Sequence, residues 1–148
     1  MSDYIVKIIP ADVTYQITEK QAQSVLESLK ANIKSDKIES FIQDSPVFVD
    51  CGSNLERILC PHCKVQQDFE WWGKAMDNAA GSDFKDLSII MPCCKKESSL
   101  NDLKYDFPCG FASFEFDIWN PDTEPDLKLV AALEKRIGSA IRIIHAHL

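Results

Sequence analysis

The stretch Ala112-Ser113-Phe114-Glu115-Phe116-Asp117-Ile118 decides the fold of this chain. Apolar and polar residues alternate at every position, and successive side chains of a β-strand point to opposite faces of a sheet. The pattern therefore predicts a strand with one buried face, which ends at Asn120-Pro121. Glu115 and Asp117 share the other face, which we expect to be exposed to solvent.

A helix and a last strand are predicted after this segment. Asp122 or Thr123 is expected to cap the helix, with Pro125 in its first turn. Gly138 stands where helices commonly end in the left-handed conformation, and residues 141–148 are predicted to form the last strand. The apolar stripe of the helix consists of Leu129, Val130, Leu133 and Ile137.

A strand, a helix and a second strand are predicted before the opening segment. Residues 4–9 are rich in β-branched side chains, which favours a strand. Thr18 and Gln21 have the spacing of a helix capping box. Residues 46–51 predict the second strand, and the polar segment 34–44 is interpreted as a loop or as half of a hairpin. The helix between the two strands has the apolar stripe Ala22, Val25, Leu26, Leu29 and Ile33.

The predicted order is strand, helix, strand, insert, strand, helix, strand. Without the insert this is the βαββαβ order of the ferredoxin-like fold. We therefore expect an α+β sandwich in which two helices cover one face of an antiparallel sheet. Residues 1–148 are expected to form a single domain, and the insert, residues 53–103, occupies the connection between the second and third strands. A different α+β sheet with the same elements is the alternative.

Four of the six cysteines lie in the insert, in the clusters Cys60-Pro61-His62-Cys63 and Cys93-Cys94. A C-x-x-C turn brings two sulfur atoms close enough to share a metal ion, and a second pair completes the tetrahedral shell that Zn²⁺ prefers. Four thiolates leave no position for water, so the pattern indicates a structural and not a catalytic ion. The predicted Zn²⁺ ligands are Cys60, Cys63, Cys93 and Cys94.

Other interpretations of the cysteines stay open. A disulfide framework or a thioredoxin-like redox pair fits less well, because the C-x-x-C follows a polar loop in a chain expected to be cytosolic. One member of the Cys93-Cys94 doublet could be buried instead, and His62, Cys51 or Cys109 would then complete the shell. Cys51 and Cys109 adjoin predicted strands, where we expect them to be small core residues.

The composition is that of an acidic globular protein. The net charge is −7 and the insert has no excess of basic residues, so the chain lacks the electrostatic footprint of a nucleic-acid binder. No apolar run approaches the roughly 18–20 residues of a membrane helix, and residues 1–4 lack the features of a signal peptide. We therefore expect a cytoplasmic protein that does not bind membranes, and its acidity disfavours nucleic-acid binding.

Two further groups of residues are functional candidates. Trp71 and Trp72 in the insert are expected to differ in direction. One would pack on the zinc site, and the other would be partly exposed, where it could contact a partner, or docked on the sheet. The carboxylates of Glu115 and Asp117 and the imidazoles of His145 and His147 could serve an enzyme on the exposed sheet face. Surface and core roles are the more common explanation for such residues.

The motifs Leu59-Cys60-Pro61-His62-Cys63 and Met91-Pro92-Cys93-Cys94 occur with a tryptophan-containing segment between them and are followed by the run 99–112. In this combination residues 45–148 resemble a group of small bacterial proteins of uncharacterised function. The resemblance implies that C-P-x-C and C-C belong to one zinc-ribbon-like site, and that position 109 does not need a cysteine. It implies no activity.

Together these observations favour a non-enzymatic, zinc-stabilised interaction module whose partner is another protein. The alternatives are an enzyme that uses carboxylates or histidines on the sheet face, and a nucleic-acid-binding zinc ribbon, which the acidity disfavours.

Overall fold

The computed structural model describes residues 3–148; Met1 and Ser2 of the predicted domain lie outside the described part. It is a mixed α+β structure with three α-helices and antiparallel sheets. The helices are α1 (Glu19–Asn32), α2 (Phe69–Ala80) and α3 (Leu127–Ile137). The strands are β1 (Tyr4–Pro10), β2 (Lys37–Val49), β3 (Ile58–Leu59), β4 (Ser88–Ile90), β5 (Glu97–Ser99), β6 (Lys104–Tyr105), β7 (Gly110–Trp119) and β8 (Ile141–His147).

The main sheet has the strand order β2-β7-β1-β8, with every neighbouring pair antiparallel. The alternating segment is the core of β7, which pairs with β1 on one side and β2 on the other. Strand β2 is longer than its sequence predicts. It begins at Lys37 and shifts register between Ile42 and Val47. Most of segment 34–44, interpreted as a loop or half of a hairpin, is therefore strand.

One face of the sheet is covered by α1 and α3. Val6 and Ile8 of β1 and Phe116 of β7 are completely buried there, against Val25 of α1 and Leu133 of α3. At roughly 1.5–3 kcal/mol for each fully buried large apolar side chain, this core is a principal source of stability. The apolar stripes predicted for the two helices account for it.

The other face is covered at one end by the insert. Phe111 of β7 and Ile144 of β8 are fully buried in a second core together with Ile58, Leu100 and Met91 of the insert. Strand β7 is thus buried on both faces at this end, whereas the alternating pattern predicts burial on one face.

The helix ends combine confirmed and corrected predictions. Thr18 and Gln21 form the predicted capping box at the start of α1, and Gly138 ends α3 in the left-handed conformation with φ 86°. The start of α3 differs, because Asp126, and neither Asp122 nor Thr123, accepts a hydrogen bond from the backbone N–H of Leu129. Pro125 consequently precedes the helix.

Candidate metal centre

The first cysteine cluster lies in a tight turn after β3. The backbone N–H of Lys64 donates to the carbonyl of Cys60 at 3.0 Å, and the N–H of Cys60 donates to the carbonyl of Val65 at 2.9 Å. Lys64 has a φ of 65°, which reverses the chain. The backbone N–H of His62 points at Cys60 Sγ at 3.4 Å, so an amide dipole stabilises a thiolate at this position.

The second cysteine cluster lies in a turn with the same backbone geometry. The N–H of Lys95 donates to the carbonyl of Met91 at 2.9 Å, and the N–H of Met91 donates to the carbonyl of Lys96 at 2.9 Å. Lys95 has a φ of 62°. The turn joins β4 to β5 and is flanked by the paired residues Ile90 and Glu97. These two residues are separated by the same number of positions as Leu59 and Gln66, the bridged residues that flank the first turn.

Superposing the two turns by these hydrogen bonds places Met91 at the position of Cys60 and Cys94 at the position of Cys63. Cys93 falls at the position of His62. In the second turn, Met91 therefore occupies the position of the first cysteine of a C-x-x-C turn. The second sulfur of this turn comes instead from Cys93, one residue before Cys94. The shared pattern of Pro61 and Pro92, and of Lys64 and Lys95, is the signal in the sequence that could have revealed this equivalence. The sequence prediction rested on cysteine spacing and missed it.

The two turns bring the four predicted ligands together. One sulfur atom from each of the four residues lies within 4.8 Å of the others, close enough to hold a metal ion. Cys63 and Cys93 Sγ are 3.3 Å apart, and Cys60 and Cys94 Sγ are 3.8 Å apart. Because the Zn–S bond is about 2.3 Å, sulfurs at tetrahedral vertices are expected about 3.8 Å apart, and only small shifts are needed. No other group of three or more candidate ligands lies so close within residues 3–148.

Electrostatics in the cluster favour ionisation at one sulfur first. Desolvation raises the pKa of the Cys60 thiol, but the backbone N–H groups of Cys63 and His62 and the adjacent thiols outweigh it and lower the pKa to about 6. At Cys63 the N–H of Val65 lowers the pKa, while the hydrogen bond with Cys93, desolvation and the Cys60 charge raise it to about 11. Like charges therefore oppose further ionisation, and a bound cation would offset that repulsion.

His62, Cys51 and Cys109 lie outside this cluster. His62 Nε2 hydrogen-bonds with the carbonyl of Glu97 at 2.9 Å, which ties the first turn to β5. Cys51 and Cys109 are buried near the main sheet, and their Sγ atoms are 3.1 Å apart.

Gln67 Nε2 donates to Cys93 Sγ at 3.3 Å. Gln67 is 5% exposed and is a contact to the sulfur cluster that sequence reasoning did not identify.

The two adjacent tryptophans have different roles. Trp72 packs edge-on against Phe48 of β2, with ring centroids 5.6 Å apart, and its Nε1 donates to the hydroxyl of Tyr105 at 3.3 Å. Trp72 therefore fixes α2 to the main sheet. Trp71 instead lines a cavity of about 350 Å³ between α2 and β4, with Lys74 and Ile90 among its neighbours. Trp71 is half-buried, as Trp72 is, and also packs against the second core; of the two, Trp71 lines this cavity.

The four candidate catalytic residues are separated by the sheet. In the register, Lys7 is opposite Asp117 and Val6 is opposite His145. Side chains alternate along a strand, so Asp117 and Glu115 lie on one face, and His145 and His147 lie on the other. The expectation of a solvated carboxylate face is wrong for Asp117, which is 8% exposed. Sheet neighbours on both sides of β7 cover it.

Burial perturbs the two carboxylates. Desolvation, followed by hydrogen bonding and repulsion from Asp117, raises the pKa of Glu115 to about 8. Desolvation also raises the pKa of Asp117, and its Oδ1 has no hydrogen-bond partner among the described residues. On the opposite face, burial and Glu124 raise the pKa of Tyr4 to about 12. Tyr4 stacks on both histidine rings.

Comparison of the chain with protein-family models, with curated proteins and with solved structures found no significant match. Within residues 3–148, no helix combines the length and the apolar character needed to cross a membrane.

Proposed function

We propose that this chain is a zinc-stabilised, non-enzymatic module that binds a protein partner through its insert. The observation that carries the proposal is the convergence of four cysteine sulfurs from two equivalent turns. An all-sulfur tetrahedral set is the donor set of structural zinc sites, and it leaves no open coordination position for substrate or water. Cys60, Cys63, Cys93 and Cys94 would hold the ion.

The zinc would stabilise a segment with little regular structure. Strands β3 to β6 contain only two or three residues each, and such short pairs are marginal without further support. A metal ion that joins the β3 turn to the β4–β5 turn would supply that support, because its site is complete only in the folded insert and its binding free energy therefore contributes to folding.

The scaffold that presents the insert is proposed to be ferredoxin-like. The sheet order β2-β7-β1-β8, with α1 and α3 on one face, supports this interpretation. Strands β2 and β7 are neighbours in the sheet, so the insert leaves and rejoins the scaffold at adjacent points. This agrees with a zinc-binding insert at residues 53–103 and with a single domain. A cytoplasmic location also stays a prediction.

The cavity beside Trp71 is the proposed binding surface, and an extended segment of the partner is the proposed occupant. Strand β4 pairs with β5 on one side, and its residues Ser88, Ile89 and Ile90 also line the cavity. A strand with a free edge can accept another strand by backbone hydrogen bonding, while side chains enter the neighbouring pocket. Ile90 is 61% exposed and would be covered by such a partner.

Metal analysis tests the zinc proposal. Protein purified without chelator is expected to contain about one Zn²⁺ per chain, measured by elemental analysis, and Cys60→Ser is expected to lose it. A matched Cys51→Ser variant, which removes a cysteine outside the cluster, should keep the metal. Metal-free wild-type protein, or loss in both variants alike, would contradict the proposal.

Partner capture with matched variants tests the binding surface. A partner bound by the wild type should be lost with Trp71→Ala and retained with Leu127→Ala, because Leu127 is an exposed apolar residue, 89% accessible, on α3. A backbone footprint of the complex by hydrogen exchange should then show protection at β4. Equal binding by both variants would place the interaction elsewhere.

A further inference from the structure

The remaining cysteines, Cys51 and Cys109, form a second pair at the base of the insert. Cys51 lies two residues after the end of β2, and Cys109 lies one residue before β7. The last register pair of these strands is Val49 and Gly110, so the two thiols are held side by side where the insert leaves and rejoins the sheet. The Cys109 thiol donates to Cys51 Sγ at 3.1 Å.

We propose that Cys51 and Cys109 are an oxidation site, at which exchange with a small-molecule disulfide forms an intramolecular disulfide across the base of the insert. The sulfurs need to approach by only about 1 Å to reach the usual S–S bond length of about 2.05 Å. They flank the paired ends of two adjacent antiparallel strands, and this pairing holds the two backbone segments close together. The pair is separate from the four-sulfur cluster, so its oxidation consumes no candidate metal ligand.

The reaction proceeds in two balanced exchanges. One protein thiolate attacks the small-molecule disulfide RSSR, which forms a mixed disulfide and releases RS⁻. The second protein thiolate then attacks the protein sulfur of that mixed disulfide and releases the second RS⁻. In total two protein thiols are oxidised, one RSSR is reduced to two RSH, and the two thiol protons pass to the released thiolates.

The burial of the pair makes the exchange slow. Cys51 is 0% exposed and Cys109 is 1% exposed, and desolvation raises the pKa of both thiols. The oxidant must enter through a local opening of the adjacent loop, in which Phe107 is 43% exposed. Since the thiolate is the attacking species, the rate should rise with pH. Once formed, the bond would be equally well protected from reductants.

The bond would join both ends of the insert without the metal. The ring that it closes contains residues 51–109, and a disulfide stabilises more when the loop that it closes is longer. For a chain of this size the expected increase in melting temperature is about 10 °C. The oxidised protein would then retain the attachment of its insert to the sheet when the metal is withdrawn.

Peptide mapping provides a direct test, because trypsin separates the cysteine pairs. Cys51 falls in peptide 38–57 and Cys109 in peptide 105–128, whereas the four-sulfur cluster is divided between peptides 58–64 and 86–95. Full-length protein purified under reducing conditions without chelator is incubated with oxidised glutathione, alkylated in denaturant so that buried thiols react, and digested without reduction. The expected product is peptide 38–57 linked to peptide 105–128, with the metal content unchanged.

Two variants complete the test. Cys51→Ala and Cys109→Ala should each abolish the linked peptide and the increase in melting temperature on oxidation. The wild-type map is decisive even if a variant fails to fold. Alkylation of both Cys51 and Cys109 after prolonged oxidation at pH 9 would overturn the proposal. Recovery of Cys51 and Cys109 only as glutathione adducts would also overturn the proposal. Linkage of these two cysteines only to peptides 58–64 and 86–95 would overturn it as well. The linkage between peptides 38–57 and 105–128 is scored separately from the metal content.

Discussion

Replacing Cys93 and restoring a thiolate at Met91 tests the equivalence of the two turns. Cys93→Ser removes one of four sulfurs. Structural zinc sites bind with about 10–16 kcal/mol at neutral pH, so an equal share for each ligand is about 2.5–4 kcal/mol, or a loss of affinity of roughly 10²–10³-fold. If Met91 occupies the place of Cys60, the double variant Cys93→Ser, Met91→Cys should rebuild a four-thiolate site.

The rescue is expected to be incomplete. Met91 is fully buried in the insert core, and shortening it to cysteine removes about two methylene equivalents, a cost of about 1.5–2 kcal/mol. We therefore expect the double variant to recover most of the affinity while it unfolds at lower urea concentration than the wild type. Zinc affinity is measured by competition with a chromogenic chelator, and the number of thiolate ligands by the visible spectrum of the Co²⁺ form.

The control places a cysteine beside Cys93 instead. Pro92→Cys in the Cys93→Ser background adds a thiol one residue away from the position equivalent to Cys60, and should not restore affinity. The equivalence of the turns is refuted if Met91→Cys alone folds and binds zinc normally but the double variant shows no recovery. Equal rescue by Pro92→Cys and Met91→Cys would also refute it, because position would then not matter.

Three further predictions concern stability, measured by urea unfolding. The pKa of Glu115 is raised from 4.5 to about 8, so its contribution is fully present below pH 4.5 and is lost as the pH rises through 8; Glu115→Gln should remove roughly 2 kcal/mol of this pH dependence, whereas exposed Glu27→Gln should not. Gly73→Ala should stabilise by about 0.5–1 kcal/mol, since an added Cβ in α2 meets no atom within 4 Å; destabilisation would contradict the packing described. Trp72→Ala should cost about 2–3 kcal/mol, clearly more than Trp71→Ala, because the Trp72 ring packs edge-on against Phe48 of the main sheet; equal costs would be inconsistent with that assignment.

Local patterns predicted the elements that depend on local physics. The capping box at Thr18, the αL residue at Gly138 and the strand β7 each follow from short-range spacing, and the structure confirms all three, although β7 is buried on more than the one face that its alternation predicts. The start of α3 was misplaced because Asp122, Thr123 and Asp126 are all good N-caps, and sequence alone does not rank them.

The remaining differences arise from contacts between distant parts of the chain. Segment 34–44 is too polar to indicate a strand, and it becomes one because β7 provides hydrogen-bond partners along its length. Asp117 is buried because strands on both sides cover it, which its alternating neighbours do not reveal. The cysteine spacing predicted which sulfurs converge, but the equivalence of Met91 and Cys60 requires the backbone hydrogen bonds of both turns.

The central position of β7 has a consequence for folding during synthesis. Strands β1 and β2 are made first but do not pair with each other, because β7 lies between them in the sheet. About seventy further residues must be translated before β7 is complete, which takes several seconds at typical rates. During that time both strands expose unpaired edges, which are sites of aggregation. Both cysteine turns precede β7 in the chain. If the nascent insert bound its metal early, the chain that follows the insert would already lie near the end of β2 when β7 emerged from the ribosome.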